Sequence, residues 1–402
     1  MSAFITAHAT HPDWRMALSL AAAQIDAHLV QHDSSAAGPP TLGIVYLTDS
    51  YAPHAEALLA ALRSRWPQLA WAGCVGIGVA ASGVEYFDEP ALVLMLAPLA
   101  PGHFEVFSGA RPLSRIQAFT ALVHADPATP DLADLVVEMS DRVSSGYLFG
   151  GLAAARTQAL HIADGVWQGG LSGVAFSAEV PLISRVTQGC QPVGPVRRVT
   201  AAERNIVVSL DGEPALPCLL RDLGIQSLDD PRQALPRLRS TMVGLSDAND
   251  PLVGRGGQFG SETRVRQLVG IDPARQAIAI GDHAEAGMRL AFCTRDVQAA
   301  RRDLVRICSE IREELETQAE PLATAGPPDT AAAPARRIDG AIYVSCSGRG
   351  GPHFGGPSAE LKIVQHALGD VPLVGFFAAG EIARHHLFGY TGVLTVFASR
   401  SP

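Results

Sequence analysis

Apolar and polar positions follow one order near the start of the chain and repeat it near the end. The first stretch has an apolar run, a segment with apolar residues at helical spacing, an apolar run that breaks into glycines and a closing apolar run, at 42–50, 54–66, 69–79 and 85–97. The corresponding segments of the last stretch are 340–348, 358–368, 371–382 and 388–398. Each stretch therefore predicts a module of strand, helix, strand and strand.

A third, weaker copy of this order lies between the other two. Residues 134–141 and 147–154 are apolar runs that predict strands, and 169–177 predicts the closing strand. Almost no helix is predicted between the apolar runs 134–141 and 147–154. Three related modules indicate duplicated α/β units with mixed sheets in a two-lobed protein, with an α+β arrangement as the alternative.

Length and composition place these modules in two domains. A chain of 402 residues is too long for one ordinary core, and 47% apolar against 18% charged residues is typical of a folded protein. We predict an N-terminal extension over residues 1–40, an N-terminal domain over 41–215 and a C-terminal domain over 216–402. The Ala/Pro-rich segment 319–337 predicts a linker-like insertion in the second domain.

Charge and cysteine usage narrow the class of partner and the compartment. A net charge of −9 disfavours nucleic acid, which requires a clustered basic surface. Residues 1–20 lack the uninterrupted apolar core of an export signal, and no apolar run is long enough to span a bilayer, so we predict no membrane partner. The six cysteines show no paired spacing, which predicts reduced thiols and a cytoplasmic location.

The segment VSCSGRGGPHFGGPSAEL at 344–361 carries most of the candidate chemistry. A nucleotide P-loop is disfavoured, because the lysine and the spacing of that motif are missing. Glycine-rich backbone after a strand still offers N–H groups to a carboxylate or phosphate, and Arg349 adds a bidentate donor. Glu381, in the later segment GFFAAGEI, is the candidate for a cationic group of the same ligand. The structural alternative is that the glycines make a tight turn and Arg349 pairs with Glu381.

The strand ends of the three modules predict the rest of this ligand site. If the modules surround one crevice, their glycine turns face it, because ligand sites of α/β proteins gather at strand ends. The same glycines would also allow strands to pack closely. The predicted ligand-binding residues are Cys346, Ser347, Gly348, Arg349, Gly350, Glu381, Thr391, Gly73 and Gly151.

Two other kinds of site use some of the same residues. Cys346 is a candidate nucleophile if His353 or His385 supplies a base, although a buried, unreactive cysteine is the commoner case. Haem needs only one axial ligand and an apolar slot, so haem remains an alternative cofactor. No CxxC or HExxH spacing brings metal ligands together, so we predict no metal site. The side chains considered as ligands are those of Cys346, His353, Glu381, His385 and His386.

Several of these segments resemble the FIST sensory domain, in both its N-terminal and its C-terminal parts. The pair CSGRG and GFFAAGEI, followed by GYT at the start of a terminal strand, is the most specific part of the resemblance. The resemblance covers most of the chain from about residue 40 onward. The matching segments are 70–96, 149–176, 191–216, 346–350 and 375–397.

The resemblance implies a cytoplasmic module that senses a small ligand, such as an amino acid, in signal transduction. Some members of the family bind haem and sense nitric oxide, which keeps a haem sensor open beside a thiol-dependent enzyme that uses Cys346. No kinase, cyclase or receptor segment accompanies the resemblance, which implies that a signal leaves through a protein partner. The shortened middle helix, around 141–151, departs from the family pattern.

Overall fold

The computed structural model divides the chain into two compact units, and it confirms the α/β class with mixed sheets. The insertion predicted at 319–337 lies outside the described residues, apart from its last two positions. The described residues are 4–31, 38–228, 231–248, 252, 259–260, 263–317 and 336–400. Unit 1 comprises Met1–Thr187, Leu304–Leu387 and Thr391–Pro402, and unit 2 comprises Gln188–Asp303 and Phe388–Tyr390.

Strands outnumber helices among the described residues. None of the helices in this part of the chain is long and apolar enough to cross a membrane. The helices are α1 (Trp14–Gln31), α2 (Ala55–Arg65), α3 (Leu132–Asp141), α4 (Ala215–Asp222), α5 (Pro231–Ser240), α6 (Val297–Thr317), α7 (Gly350–His353) and α8 (Ala359–Leu368), with a 3-10 helix at Asp49–His54. The strands are β1 (Ile5–Thr10), β2 (Leu42–Thr48), β3 (Ala70–Gly76), β4 (Gly78–Ala81), β5 (Val84–Phe87), β6 (Ala91–Ala97), β7 (Phe104–Phe107), β8 (Thr120–Ala125), β9 (Tyr147–Leu152), β10 (His161–Ala163), β11 (Val166–Trp167), β12 (Leu171–Phe176), β13 (Leu182–Gln188), β14 (Cys190–Pro192), β15 (Arg197–Glu203), β16 (Ile206–Leu210), β17 (Glu213–Pro214), β18 (Thr241–Ser246), β19 (Arg264–Asp272), β20 (Ala277–Ile280), β21 (Arg289–Arg295), β22 (Arg336–Cys346), β23 (Leu373–Ala378), β24 (Glu381–Ala383), β25 (His386–Phe388) and β26 (Thr391–Arg400).

Unit 1 repeats one order of elements three times. In each module a first strand, a helix and a second strand follow one another along the chain, and the two strands pair in parallel. A short hairpin comes next, and a final strand then pairs antiparallel with the first strand. The modules are β2-α2-β3-β4-β5-β6, β8-α3-β9-β10-β11-β12 and β22-α8-β23-β24-β25-β26. The first and the last occupy the stretches in which the sequence pattern predicts modules, but each has two more strands than the three predicted.

The middle module departs from its prediction. The strand predicted at 134–141 is wrong, because Leu132–Asp141 form helix α3 and the first strand of this module is β8. Three consecutive apolar residues at 135–137 imitate a strand. Helical spacing nevertheless decides which side chains are buried, among them Val136 and Met139. The middle module therefore keeps its helix.

Each sheet of unit 1 is completed by a hairpin from another module. The middle hairpin joins the first sheet, the last hairpin joins the middle sheet, and the first hairpin joins the last sheet. This exchange closes a ring, so no module forms a complete sheet by itself. The strand orders are β1-β6-β2-β3-β10-β11, β7-β12-β8-β9-β24-β25 and β13-β26-β22-β23-β4-β5.

One glycine recurs at the same register position of all three second strands, as Gly73, Gly150 and Gly375. A Cβ atom at these positions would lie 1.7, 2.0 and 1.9 Å, respectively, from a carbonyl oxygen of the neighbouring first strand. Gly73 and Gly150 also have φ values of +154° and +140°, which favour glycine. The strand pairing therefore requires glycine, and at Gly73 the backbone fills the space that was expected to face a ligand.

The N-terminal extension predicted over 1–40 contributes to the first sheet. Strand β1 pairs antiparallel with β6 at the edge of this sheet, and α1 shares an apolar cluster with it. The domain boundary predicted between residues 215 and 216 falls in the first turn of α4, inside unit 2.

Unit 2 contains a sheet that closes on itself. Its strands follow the order β14-β21-β15-β16-β20-β19-β18, and β18 also pairs with β21, which joins the ends of the sheet. Side chains along β21 alternate between two apolar clusters, with Leu290 and Phe292 in one and Ala291 and Cys293 in the other.

Candidate functional site

The predicted CSGRG turn leads from β22 into a buried ion pair. Arg349 is 1% exposed, and its Nε donates a hydrogen bond to Glu360 Oε1 at 3.0 Å. The hydroxyl groups of Tyr343 and Ser345 donate to the same carboxylate, at 2.7 and 3.0 Å. Arg349 therefore forms a structural ion pair, as the alternative interpretation predicts. Its carboxylate partner is Glu360 of α8, where the sequence suggested Glu381.

Backbone N–H groups of Gly351 and of the first turn of α8 surround the carboxylate of Glu85 on β5. The N–H of Gly351 donates to Glu85 Oε2 at 2.6 Å, and the N–H groups of Glu360 and Leu361 donate to Oε1 at 3.0 and 3.1 Å. Glu360 and Leu361 belong to the first turn of α8, where the helix dipole favours a negative charge. These backbone donors therefore hold a carboxylate of the chain itself.

Glu381 lies fully buried on β24, next to Cys346 and Thr391. The N–H and Oγ1 of Thr391 donate to Glu381 Oε2 at 3.1 and 2.6 Å. Burial dominates and raises the pKa of Glu381 to about 8, although Thr391, the Arg349 charge and a hydrogen bond with Cys346 act in the opposite direction. Cys346 is itself only 8% exposed. We call this set the buried cluster: Cys346, Arg349, Glu360, Glu381 and Thr391.

The other residues predicted to bind a ligand in this region make backbone hydrogen bonds or allow close packing of the backbone. The N–H of Ser347 donates to a carbonyl oxygen of β23 at 2.9 Å, and Gly348 follows it in the turn. A Cβ atom at Gly350 would lie 2.2 Å from an aromatic ring of β5, and one at Gly151 would lie 2.8 Å from a backbone carbonyl oxygen. Both glycines thus permit close packing.

The histidines considered as metal ligands or catalytic bases contact aromatic rings. The ring centroids of His385 and His386 are 3.9 Å apart, and the His353 ring meets Phe354 edge-on at 5.6 Å. Within the ranges that the structure describes, no group of three or more His, Cys, Asp or Glu side chains could hold a metal ion.

The raised carboxyl pKa values predict that stability falls as the pH rises. Burial raises the pKa of Glu85 from 4.5 to about 7 and that of Glu381 from 4.5 to about 8. Above 4.5 the folded state therefore holds protons that the unfolded chain has released. Burial lowers the pKa values of His124 and His161. These two histidines make stability rise with pH, mainly below 6.5, their ordinary pKa. We expect a loss of about 2 kcal/mol between pH 6.5 and about 8.5.

Denaturant unfolding across this pH range measures the effect. Glu381→Gln should flatten the curve, because the amide has no proton to release. Glu105→Gln is the control: burial opposes the shift, but hydrogen bonds from Arg115 and Ser114 hold the pKa of Glu105 below 4.5, so it stays ionised throughout. A wild-type stability that is constant or rises over this range would contradict the prediction.

A cavity of about 610 Å³ lies in unit 1, beside the turn that follows β24. Residues of β9, β13 and β26, the end of α6 and the turn between β24 and β25 form its walls. Its volume is in the range of small-molecule pockets. Its charged and hydrogen-bonding side chains include Tyr147, Ser184, Arg185, Glu314, Arg384 and His385.

Arg185 holds the charged wall of this cavity in place. Its Nε donates to Glu310 at 3.2 Å, its Nη2 to Glu314 at 2.5 Å, and its Nη1 to the carbonyl oxygen of Ser184 at 2.9 Å. The Ser184 hydroxyl in turn accepts a hydrogen bond from Tyr147 Oη at 3.1 Å and lies 2.8 Å from Thr395 Oγ1. The polar groups are thus fixed before any ligand binds.

Arg384 faces the cavity from a strained backbone position. It begins the two-residue turn between β24 and β25 with a φ of +55°, and its N–H donates to the carbonyl oxygen of Leu148 at 2.8 Å. Glycine, asparagine or aspartate is the usual residue in such a turn, and another side chain costs about 1–2 kcal/mol. Strain of this kind concentrates at functional sites, which makes Arg384 a candidate for ligand binding.

The cavity leaves little trace in the sequence, because its walls come from distant segments of the chain. Phe119, Arg185, Glu314 and Arg384 all contribute to it. The available signal was the arginine in the hairpin turn after GEIA, where the strand pattern alone would favour glycine or asparagine.

Comparisons with known proteins match almost the same segments as the resemblance. The model of the FIST N domain matches residues 41–213, and that of the FIST C domain matches 215–384. The uncharacterized protein Rv0628c of Mycobacterium tuberculosis is 30% identical over 420 residues, which cover 96% of this chain and 97% of the relative. The uncharacterized protein Mb0898c of Mycobacterium bovis is 29% identical over 422 residues, with the same coverage of both chains.

Proposed function

Because the chain belongs to the FIST family, with the N and C domains in tandem, we propose that it is a sensory protein that binds a small zwitterion, such as an amino acid, in the cavity beside β24. FIST domains are associated with sensory signal transduction. The observation that carries the proposal is the combination of opposite charges in one cavity of about 610 Å³.

The charged groups of the cavity suit the two ends of an amino acid. The guanidinium group of Arg384 offers paired N–H donors to a carboxylate, and the charge of Arg185 lies in the same cavity. Glu314, which already accepts a hydrogen bond from Arg185, offers its carboxylate to the ammonium group. Phe119 and Phe149 contribute apolar surface for a side chain.

The exchanged hairpin connects this cavity to the buried cluster. Arg384 follows directly after β24, whose first residue is Glu381, and β24 pairs with β9 of another module. Phe149 lies opposite Ala383 in this pairing and also lines the cavity. A ligand that binds one position of the hairpin more tightly than another shifts its population, and a protein partner then detects the change.

Replacing Arg384 by glycine should separate ligand binding from stability. The glycine relieves the left-handed strain, so we expect the free energy of unfolding to stay within about 1 kcal/mol of wild type or to rise. The loss of the guanidinium should weaken amino-acid binding at least about tenfold, since a charged hydrogen bond contributes about 1.5–3 kcal/mol. Calorimetric titration with the amino acids that raise the melting temperature of the wild type measures both affinities.

Arg204→Gly is the matched control. Arg204 also has a left-handed backbone, with a φ of +56°, but it lies in the turn between β15 and β16 of unit 2. Its replacement relieves the same strain and should leave the affinity unchanged. Equal affinities of wild type and Arg384→Gly would exclude the cavity as the site, and a wild type that binds no amino acid would exclude this ligand class.

A further inference from the structure

Three sulfur-containing side chains meet in one buried cluster of unit 2. Cys190 on β14, Met242 on β18 and Cys293 on β21 are 3%, 4% and 0% exposed, and they belong to the same apolar cluster. Strand β21 pairs with both β14 and β18, and Met242 stands directly opposite Cys293. The sheet therefore delivers three soft ligands to one place from three strands.

Cys190 and Met242 have the spacing of two sulfur ligands of a single ion. The Cys190 thiol donates to Met242 Sδ with 3.8 Å between the sulfur atoms, and Cys293 is hydrogen-bonded to Cys190. In a trigonal site with metal–sulfur bonds of about 2.2 Å, neighbouring sulfur atoms are about 3.8 Å apart. The separation of Cys190 and Met242 matches this spacing without any movement of the strands.

A disulfide fits this arrangement less well than an ion does. Cys190 is in register with Arg295, and Cys293 is in register with Pro192, so the two cysteines are diagonal neighbours. Diagonal neighbours have Cα atoms about 7–8 Å apart, whereas a disulfide requires about 4.4–6.8 Å. The two strands would have to move to form the bond, but a bridging ion lengthens the connection.

We propose that Cys190, Met242 and Cys293 form a binding site for Cu(I). Thiolate and thioether ligands together select Cu(I), whereas hard divalent ions prefer oxygen and Zn²⁺ prefers thiolate, imidazole or carboxylate. The neighbouring described side chains, Phe259 and Val265 among them, are apolar and suit a weakly hydrated monovalent ion.

Binding exchanges two protons for the ion. Cu(I) forms two thiolate bonds and one thioether bond, and both thiol protons leave to solvent. One negative charge results. Arg295, two residues after Cys293, lies on the same side of β21 and stacks on Tyr390, which packs against the cluster.

Anaerobic titration of the reduced full chain with Cu(I), in competition with a chromogenic Cu(I) chelator, tests the site. We expect one Cu(I) per chain, and X-ray absorption should give three sulfur ligands at about 2.2–2.3 Å. Met242→Leu conserves the apolar volume, so it should fold and still weaken Cu(I) binding at least about tenfold. Cys190→Ala should abolish the tight site.

Cys218→Ala is the control, because Cys218 is an equally buried thiol in the other apolar cluster of unit 2. It should leave Cu(I) affinity unchanged. The proposal is overturned if the chelator retains all the Cu(I), if Met242→Leu binds as tightly as wild type, or if Zn²⁺ competes equally for the site. A Cys190–Cys293 disulfide that forms in air without any bound copper would also overturn it.

Discussion

Replacing Glu360 by glutamine should lower the free energy of unfolding by about 3–5 kcal/mol, the range for breaking a buried ion pair from one side. The substitution preserves the shape of the side chain and removes its charge. The guanidinium of Arg349, which is 1% exposed, then loses the carboxylate that it contacts at 3.0 Å. Tyr343 and Ser345 lose a charged acceptor at the same time. Equilibrium unfolding in urea measures the loss.

Glu314→Gln is the matched control for this prediction. Glu314 also pairs with an arginine, but its side chain is 30% exposed, so the change should cost less than about 1 kcal/mol. A double variant, Arg349→Met with Glu360→Leu, removes both charges and should be more stable than Glu360→Gln alone. A loss below about 1 kcal/mol for Glu360→Gln would mean that the pair does not stabilise the contact between the turn and α8.

Gly73→Ala should cost about 3 kcal/mol or more, through overpacking and backbone strain together. The new Cβ atom would lie 1.7 Å from the carbonyl oxygen of Val45, and the φ of +154° disfavours any other residue. Because this neighbour is backbone, the two strands must separate to make room. Gly150→Ala and Gly375→Ala should show similar losses, since the same clash recurs in the other modules.

Gly109→Ala separates this effect from the general cost of replacing a glycine. A Cβ atom at Gly109 meets nothing within 4 Å, so the variant should stay within about 1 kcal/mol of wild type. Thermal unfolding of the four variants gives the comparison. If Gly73→Ala melts close to Gly109→Ala, the glycine is not required by the pairing of β2 with β3.

The sequence predicts those parts of the fold that local patterns determine. Helix α2 buries Leu58, Leu59 and Leu62, and this spacing is visible in the sequence. The strand predicted in the middle module is wrong because three apolar residues in a row are compatible with a strand or with a helix. The outward position of Val137, 42% exposed, becomes visible only when the packing of α3 is known. The exchange of hairpins leaves no local signal, because any apolar strand edge accepts another strand.

The sequence identifies members of the buried cluster but not their partners. Cys346, Arg349, Glu381 and Thr391 come together, since the turn after β22 and the strand β24 converge. Glu85, however, is 266 positions away from Gly351, whose N–H donates a hydrogen bond to it. No spacing rule connects residues at that distance, so the carboxylate in the predicted anion cradle could not be foreseen. The cavity beside β24 depends on long-range packing in the same way.

The ring of exchanged hairpins also determines how the protein can be made. Strand β4 is synthesised early, but its partner β23 leaves the ribosome roughly 15–60 s later, at an elongation rate of about 5–20 residues per second. During that time the edge that β23 will cover is open to strands of other nascent chains. The ring therefore cannot close before the last module is synthesised, and the yield of native protein should depend on chaperones that shield unpaired strands until that module arrives.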